Sequence, residues 1–401
     1  MLLRVGALGA TLVLATAVLG LEAYGRLVTA LAVGGMLSPL AGLGLHMRIM
    51  TGWRAAAGRH RAWLGGLMGE WLIASSLLAV LGCLGFGLWT GFETDITAPF
   101  AATAMVLALE ILAASGIEWM ARASLMRGGT AHYARTLAIF PVARLAVLLP
   151  FVLREEISFA AFAQAWCVAT VLAILLAIRA SGAGRPTLPR PGTWWRAVRT
   201  GAPFMAGATA YRLQAEFNKP VIAASGYALA GALGLAQRVL DVMTLPLLAV
   251  QTSLSQRLFT DQPALKPILL RAFGAVLGAT SIGIALALGA PLAGRWLGPE
   301  FTAVISALVQ LSALPVLQVL RQTSTLLLIW QDESRWLPLG ELPACAVAVI
   351  ATAVWVPRLG IEGAVWGLYA GEGCQFAIQA ALLVKLMQQR HRAAREAQRK
   401  M

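Results

Sequence analysis

Residues 64–90 read LGGLMGEWLIASSLLAVLGCLGFGLWT, an apolar run interrupted by a single charged side chain, Glu70. An α-helix rises about 1.5 Å per residue, so roughly 20 apolar residues cross the hydrocarbon core of a bilayer. This run is long enough to form a transmembrane helix. Comparable runs recur along the whole chain, which indicates a protein that crosses the membrane many times.

The composition of the chain leads to the same class. Hydrophobic residues occupy 59% of the 401 positions and charged residues 12%, and the mean hydropathy is +0.74. A soluble globule of this size could not cover its surface with so few charges. The formal net charge of +14 does not indicate nucleic-acid binding, because that requires a basic face on a water-soluble domain.

Twelve runs are long enough to span the bilayer, and we therefore predict an all-α polytopic membrane protein with about 12 transmembrane helices. The predicted helices cover residues 5–20, 27–46, 64–90, 98–119, 136–153, 158–179, 201–224, 227–256, 268–292, 301–330, 336–357 and 361–387.

Basic residues fall on alternate loops. If the N-terminus is cytoplasmic, the loops on the opposite side hold only Arg26, Arg154, Arg295 and Arg358. The positive-inside rule then places both termini on the cytoplasmic side of the membrane, which we predict to be a bacterial inner membrane. The basic tail 389–401 is predicted to anchor the chain to the anionic lipid surface. Tryptophans near predicted helix ends, including Trp119, fit an interfacial belt.

A segment rich in Pro, Gly and Arg divides the chain. Residues 181–199 (SGAGRPTLPRPGTWWRAVR) predict an extended cytoplasmic linker. It separates an N-terminal six-helix lobe, 1–180, from a C-terminal six-helix lobe, 200–388.

Two echoes between the lobes indicate a repeat. Tyr24-Gly25 returns as Gly226-Tyr227, and WTGF at 89–92 returns as WLGPEF at 296–301, at nearly the same offset. Six helices per repeat make the lobes parallel, related by an axis along the membrane normal. This arrangement predicts two lobes around a central cavity.

No enzyme active site or metal centre is predicted. The four cysteines lie in apolar runs at no metal-ligand spacing and behave as small hydrophobic residues: Cys83, Cys167, Cys345 and Cys374. The predicted loops are short, which leaves no soluble domain for catalysis. We expect no catalytic residue, no metal and no bound cofactor.

Four stretches carry a family resemblance: Leu21–Leu45 (LEAYGRLVTALAVGGMLSPLAGLGL), Gln214–Pro246 with its Asn218-Lys219 pair, Trp296–Phe301 (WLGPEF) and Leu359–Gly367 (LGIEGAVWG). In this order and spacing they resemble the Wzx-type polysaccharide and O-antigen flippases, within the multidrug/oligosaccharidyl-lipid/polysaccharide exporter superfamily. The resemblance covers nearly the whole chain and contains no catalytic fingerprint.

The resemblance implies a translocase for lipid-linked oligosaccharides, used to build surface polysaccharides such as lipopolysaccharide or exopolysaccharide. It would carry an undecaprenyl-diphosphate-bound glycan from the cytoplasmic to the periplasmic leaflet by alternating access. The implied protein is a monomer that works beside a polysaccharide polymerase and glycosyltransferases. Such cargo requires a wet, cationic and hydrogen-bonding cavity, because phosphate and hydroxyl groups are costly in hydrocarbon.

Embedded basic side chains are candidates for this cavity, because each would cost a few kcal/mol if it faced lipid at mid-bilayer. Arginine also suits bidentate phosphate binding. The candidate contacts to diphosphate or glycan are Arg144, Arg212, Lys219 and Arg321, with Gln318, Tyr211 and Gln214 for glycan hydroxyls. Arg144 and Arg321 have no acid within one helical turn, which increases their weight as candidates.

Local ion pairs are the structural alternative. Lys219 and Glu216 are three residues apart, as are Arg238 and Asp241, and each pair can form on one helix face.

Embedded acids have two interpretations. They are candidates either for coupling transport to a proton or sodium gradient or for balancing cavity arginines: Glu216, Asp241, Glu110 and Glu70. Flippases of the resembled family commonly carry Asp where this chain has Asn218. Because that acid is absent here, the coupling ion stays open.

Two other functions fit parts of the pattern. An ion-coupled multidrug exporter of the same superfamily would need an acidic, aromatic pocket for organic cations. A non-transporting subunit that scaffolds glycan-synthesis enzymes would keep its function after loss of an embedded arginine.

Overall fold

The computed structural model describes residues 2–90, 98–153, 157–189, 191–261, 265–331, 333 and 336–400. These residues form helices and no strand, which confirms the all-α prediction. The helices are α1 Leu2–Ala41, α2 Leu45–Gly52, α3 His60–Trp89, α4 Ala98–Leu148, α5 Phe159–Ser181, α6 Pro191–Glu216, α7 Asn218–Ala223, α8 Tyr227–Asp261, α9 Leu265–Gly294, α10 Thr302–Gln310, α11 Leu314–Trp330, α12 Leu337–Leu359 and α13 Ile361–Lys400.

Eight helical stretches in the described part of the chain are long and apolar enough to cross a membrane. The chain is therefore a polytopic membrane protein. Two of the eight, Gly6–Ala41 and Phe100–Phe151, each cover two predicted helices. The seventh and twelfth predicted helices coincide with α6–α7 and α13, whose polar residues lower their hydropathy.

Glycines break two of the three longest helices. Gly20 in α1 has φ 70° and ψ 173°, and Gly129 in α4 has φ 76° and ψ −169°, a conformation that side chains other than glycine essentially exclude. The chain changes direction at a single residue, so the predicted loops at 21–26 and 120–135 are wrong over most of their length. The charged residues in these two segments lie in helices, although their charge is typical of loops between transmembrane helices.

The predicted extended linker is also wrong over half its length. Among the described residues of the linker, 182–189 are non-helical, and α6 begins at Pro191. This segment lies against α3, where the backbone N–H of Thr187 donates to the carbonyl oxygen of Gly65 at 3.2 Å. A Cβ on Gly65 would overlap the segment's backbone, so glycine is required for this close approach.

Packing divides the chain into two compact units, Met1–Leu235 and Ala236–Met401. The first contains α1 to α7 and the beginning of α8, and the second contains the rest of α8 and the helices that follow. The lobe boundaries drawn from the sequence repeat concern duplication, and they remain a prediction.

A buried aromatic pair lies in the core of the first unit. Trp71 and Trp119 pack edge to face with ring centroids 5.7 Å apart, and both side chains are fully buried beside Met120. The indole N–H of Trp71 donates to Ser115 Oγ at 2.8 Å. The assignment of Trp119 to an interfacial belt is therefore wrong, because the ring faces α3 and not the membrane surface.

The second half of α1 crosses the beginning of α8 at glycines. A Cβ on Gly25 would overlap the carbonyl oxygen of Tyr227, and a Cβ on Gly231 would overlap that of Leu21. The guanidinium carbon of Arg26 lies 4.5 Å from the centroid of the Tyr227 ring. The two echoed motifs thus meet where small residues allow two helices to touch.

In the second unit, α12 and α13 form a tight hairpin around Gly360, which has φ 57°. A Cβ on Gly363 would lie 2.5 Å from the backbone of Trp355, and one on Gly367 would overlap the Thr352 side chain. The glycines of LGIEGAVWG, four residues apart, therefore permit close helix packing.

Candidate substrate site

Four of the five embedded basic side chains pair with a carboxylate among the described residues. The pairs are Arg144–Glu110, Lys219–Glu216, Arg238–Asp241 and Arg321–Glu372. The two local pairs follow the spacing that the sequence shows. The extra weight placed on Arg144 and Arg321 for lack of a partner is wrong, because their acids lie 34 and 51 residues away along the chain.

Arg144, on the second half of α4, lies in a compact polar cluster. Its Nη2 is 2.5 Å from Oε2 of Glu110 on the first half of the same helix. Its guanidinium carbon is 4.3 Å from the centroid of the Trp166 ring on α5, and Thr170 Oγ1 is 3.4 Å from both Nε and Nη2. The side chains of the ion pair are 15% and 16% exposed, so each charge depends on the other.

The interruption between α6 and α7 holds a second buried cluster. Lys219 Nζ donates to Glu216 across the break at Phe217. Asn218 is 1% exposed, and neither its side-chain oxygen nor its nitrogen has a hydrogen-bond partner among the described residues; the same holds for Gln214 Nε2. An unpaired buried polar group costs about 1–3 kcal/mol, which favours water or a polar ligand group at this break.

The polar cluster of the second unit centres on Arg321 of α11. Its Nε donates to the buried carboxylate of Glu372 on α13, and Glu341 on α12 also acts on it electrostatically. Gln318 lies one turn earlier on α11, half-buried, and no hydrogen bond joins it to another described residue.

The two remaining acidic candidates are also paired. Asp241 Oδ2 lies 3.2 Å from Arg238 Nη1, in a pair whose side chains are 60% and 45% exposed and which contributes at most about 1 kcal/mol. Glu70 on α3 is buried and accepts from Arg48 on α2. Glu70 therefore acts as a counter-charge here, while a coupling role for any of these acids remains a prediction.

A pocket of about 120 Å³ lies within the first unit, between the end of α1, α2, α4 and α6. Two predicted substrate residues, Tyr211 and Arg212, line it. Arg212 differs from the other embedded cations because it makes no hydrogen bond or ion pair with any residue that the structure describes. The other predicted substrate residues lie outside the pocket: Arg144, Lys219, Gln214, Arg321 and Gln318.

Several polar residues of the pocket escaped the sequence prediction. His46 Nδ1 lies 3.8 Å from Glu118 Oε2. Trp119 has a buried indole N–H without an acceptor among the described residues. Ser38 Oγ donates to the carbonyl oxygen of Gly35 at 2.9 Å, so its lone pairs can still accept. The one local signal in the sequence is the Gly42-Leu43-Gly44 turn.

His46 is the second residue of α2 and lies beyond the candidate span that ends at Ala41. Burial lowers the pKa of its imidazole below the ordinary value of 6.5; the Glu118 carboxylate raises this pKa and Arg122 lowers it. The lowered pKa keeps the ring neutral at pH 7, so it carries one hydrogen-bond donor and one acceptor.

A strained turn forms one end of the pocket. Leu43 has φ 47° and Gly44 has φ 62°, and a positive φ is uncommon for a residue such as leucine. Gly201 of α6 packs on this turn so closely that a Cβ there would overlap the carbonyl oxygen of Leu43. Strained backbone often supports ligand sites, and here the packing holds α6 beside the turn.

The wall of the pocket suits non-covalent binding of a small polar group. It combines a guanidinium, a carboxylate, a neutral imidazole, hydroxyls and aromatic rings. Its volume of about 120 Å³ is well below the roughly 300–1,000 Å³ of pockets that enclose a drug-sized ligand. One ring or one head group would fill it.

Comparison with known proteins defines the fold. No family model and no curated protein sequence matches the chain. Among solved structures, an inward-facing multidrug resistance MATE family transporter of the MOP superfamily matches with a TM-score of 0.67 and 15% identity, over 96% of this chain and 95% of that one.

Two further structures extend the comparison. The lipid II flippase MurJ in an inward closed conformation matches with a TM-score of 0.73 and 10% identity, over 96% and 86% of the two chains. The MATE multidrug transporter DinF-BH in complex with R6G matches with a TM-score of 0.65 and 14% identity, over 96% and 92%. The chain therefore has the fold of MOP superfamily transporters, and these neighbours are transporters and flippases rather than enzymes.

Proposed function

We propose that this chain is a flippase for lipid-linked oligosaccharides. It moves an undecaprenyl-diphosphate-bound glycan from the cytoplasmic to the periplasmic leaflet of a bacterial inner membrane, by alternating access, with both termini cytoplasmic. The translocated glycan is used for surface polysaccharide synthesis, and the flippase works beside a polymerase and glycosyltransferases. The closer kinship to Wzx-type flippases is part of this proposal.

The observation that carries the proposal is that Arg212 lines a pocket and pairs with no described residue. The other embedded cations are neutralised by carboxylates of their own unit, whereas Arg212 lines a pocket with no partner among the described residues. A guanidinium in such a position is costly unless water or a substrate binds it. Oxygen-rich cargo, with its phosphates and hydroxyls, supplies the acceptors that this donor requires.

An ion-coupled multidrug exporter is the second candidate. Glu118 beside Trp119 and Tyr211 resembles an acidic, aromatic site for an organic cation. Two features weigh against it: Arg212 would repel a cation in the same pocket, and the embedded acids Glu110 and Glu216 are already paired with internal cations. Coupling to a proton or sodium gradient is compatible with both candidates.

Deletion of the gene in its host separates the candidates. We expect a lipid-linked oligosaccharide to accumulate unexposed at the periplasmic face, with rescue by the wild type but not by Arg212→Met. Arg238→Met is the matched control, because its ion pair is exposed, and it should rescue. Normal glycan exposure combined with new drug sensitivity would reject the flippase and favour the exporter.

A further inference from the structure

The wall of the pocket carries both signs of charge. Arg212 contributes a guanidinium, and Glu118 contributes a carboxylate that is 56% exposed and lies 3.8 Å from His46. A dianionic diphosphate would gain from the guanidinium but be repelled by the carboxylate. An organic cation would meet the opposite conflict. A neutral polyol, whose hydroxyls both donate and accept, satisfies both groups at once.

The uncharged polar groups of the wall fit the same kind of ligand. Trp119 offers a buried indole N–H that lacks an acceptor among the described residues, and Ser38 offers lone pairs. His46 adds one donor and one acceptor in its neutral form. The wall therefore contains both donors and acceptors, which suits the hydroxyls of a sugar ring better than a phosphate, which only accepts.

The apolar part of the wall and the volume limit the size of the ligand. Phe204 and Tyr211 present rings that are 45% and 44% exposed, and rings of this kind cover the carbon–hydrogen face of a sugar while hydrogen bonds form at its edge. A volume of about 120 Å³ leaves space for one ring and excludes a whole oligosaccharide or a dye.

We infer that this pocket binds one pyranose ring of the transported glycan, with Arg212 and Glu118 forming hydrogen bonds to its hydroxyls, and that the diphosphate lies outside it. This subsite rests on the proposed flippase function. It assigns selectivity for the sugar to the first unit, at a place separate from the Arg144 and Lys219 ion pairs.

Calorimetric binding to the full-length protein in lipid nanodiscs tests the subsite. The probes are farnesyl diphosphate and its derivatives that carry N-acetylglucosamine, glucose or galactose on the terminal phosphate. At least one sugar is expected to raise affinity about tenfold over the bare diphosphate, because each neutral hydrogen bond contributes roughly three- to tenfold. Arg212→Met should remove that advantage and leave the bare probe within about threefold.

Glu118→Gln distinguishes a sugar from a diphosphate or an organic cation, because it removes the charge and keeps the size of the side chain. An amide still accepts from a hydroxyl, so the sugar advantage should persist within about threefold. A bare diphosphate that tightens in Glu118→Gln and weakens in Arg212→Met would overturn the proposal, because it would place phosphate in the pocket. Binding of rhodamine 6G that is lost in Glu118→Gln would also overturn it.

The binding experiment separates failure of the subsite from failure of the function. Equal affinity for the bare and all glycosylated probes would remove the sugar subsite while leaving a diphosphate-binding flippase. Failure of every probe to bind the wild type would remove the flippase as well. Arg238→Met, whose pair lies outside the pocket, should change no affinity.

Discussion

Replacing Arg144 by alanine is expected to destabilise the protein strongly. The side chain holds Glu110 at 2.5 Å and lies 4.3 Å from the Trp166 ring. Removing one partner of a buried pair costs about 3–5 kcal/mol, because the other charge stays uncompensated. Loss of the cation–π contact adds about 0.5–2 kcal/mol. We therefore expect the free energy of unfolding to fall by about 4 kcal/mol or more in Arg144→Ala.

A second variant identifies the cause. Arg144→Met combined with Glu110→Gln removes both charges and keeps similar volumes, so it should lie within about 2 kcal/mol of the wild type. The free energy of unfolding of Glu110→Gln alone should fall between those of Arg144→Ala and the double variant, because Arg144 keeps its contacts with Trp166 and Thr170. Unfolding with SDS in mixed detergent micelles measures each free energy. If Arg144→Ala is as stable as the wild type, or the double variant is as unstable as Arg144→Ala, the reasoning from a buried pair is refuted.

Three further predictions concern packing, burial and pH. Gly25→Ala should cost about 1–3 kcal/mol, because its Cβ overlaps the Tyr227 carbonyl oxygen; Gly85→Ala, which has open space, should keep the wild-type melting temperature. Lys219→Met should lower the free energy of unfolding by about 3–5 kcal/mol in the same micelle titration, since a buried carboxylate loses its partner. The pKa of His46 is lowered in the folded protein, so stability should fall as pH drops from 6.5 towards that pKa, where the unfolded state binds the extra proton; melting curves against pH should show this loss reduced in His46→Gln.

The helices could be predicted from the sequence because hydrophobic runs are local. The run at 64–90 matches α3, and the predicted boundary at residue 20 matches the break at Gly20. Loop positions were less secure, since charge was the only guide to them. Glu22 and Arg26 form a 3.6 Å ion pair on one face of α1. The same two charged residues occur equally well in a loop or at a helix end, so the sequence does not distinguish the two.

The candidate site was only partly accessible to prediction. The three-residue spacing correctly paired Lys219 with Glu216, but the partner of Arg144 lies 34 residues away, on the other half of the broken helix α4. Tyr211 and Arg212 were selected as polar residues in an apolar run, whereas Trp119 was assigned to a membrane interface. Nothing in the sequence brings Trp119 next to Arg212, because their proximity depends on how α4 and α6 pack.

Transport of a lipid-linked oligosaccharide by the purified protein tests the central claim most directly. Sugar-labelled lipid-linked oligosaccharides from the host would be reconstituted into liposomes and exposed to a membrane-impermeant glycosidase. The account predicts that nearly all of the substrate becomes accessible when wild-type protein is present, against about half in protein-free liposomes, and that Arg212→Met loses the difference. Accessibility that stays at half with folded wild-type protein, under imposed proton and sodium gradients, would contradict the account.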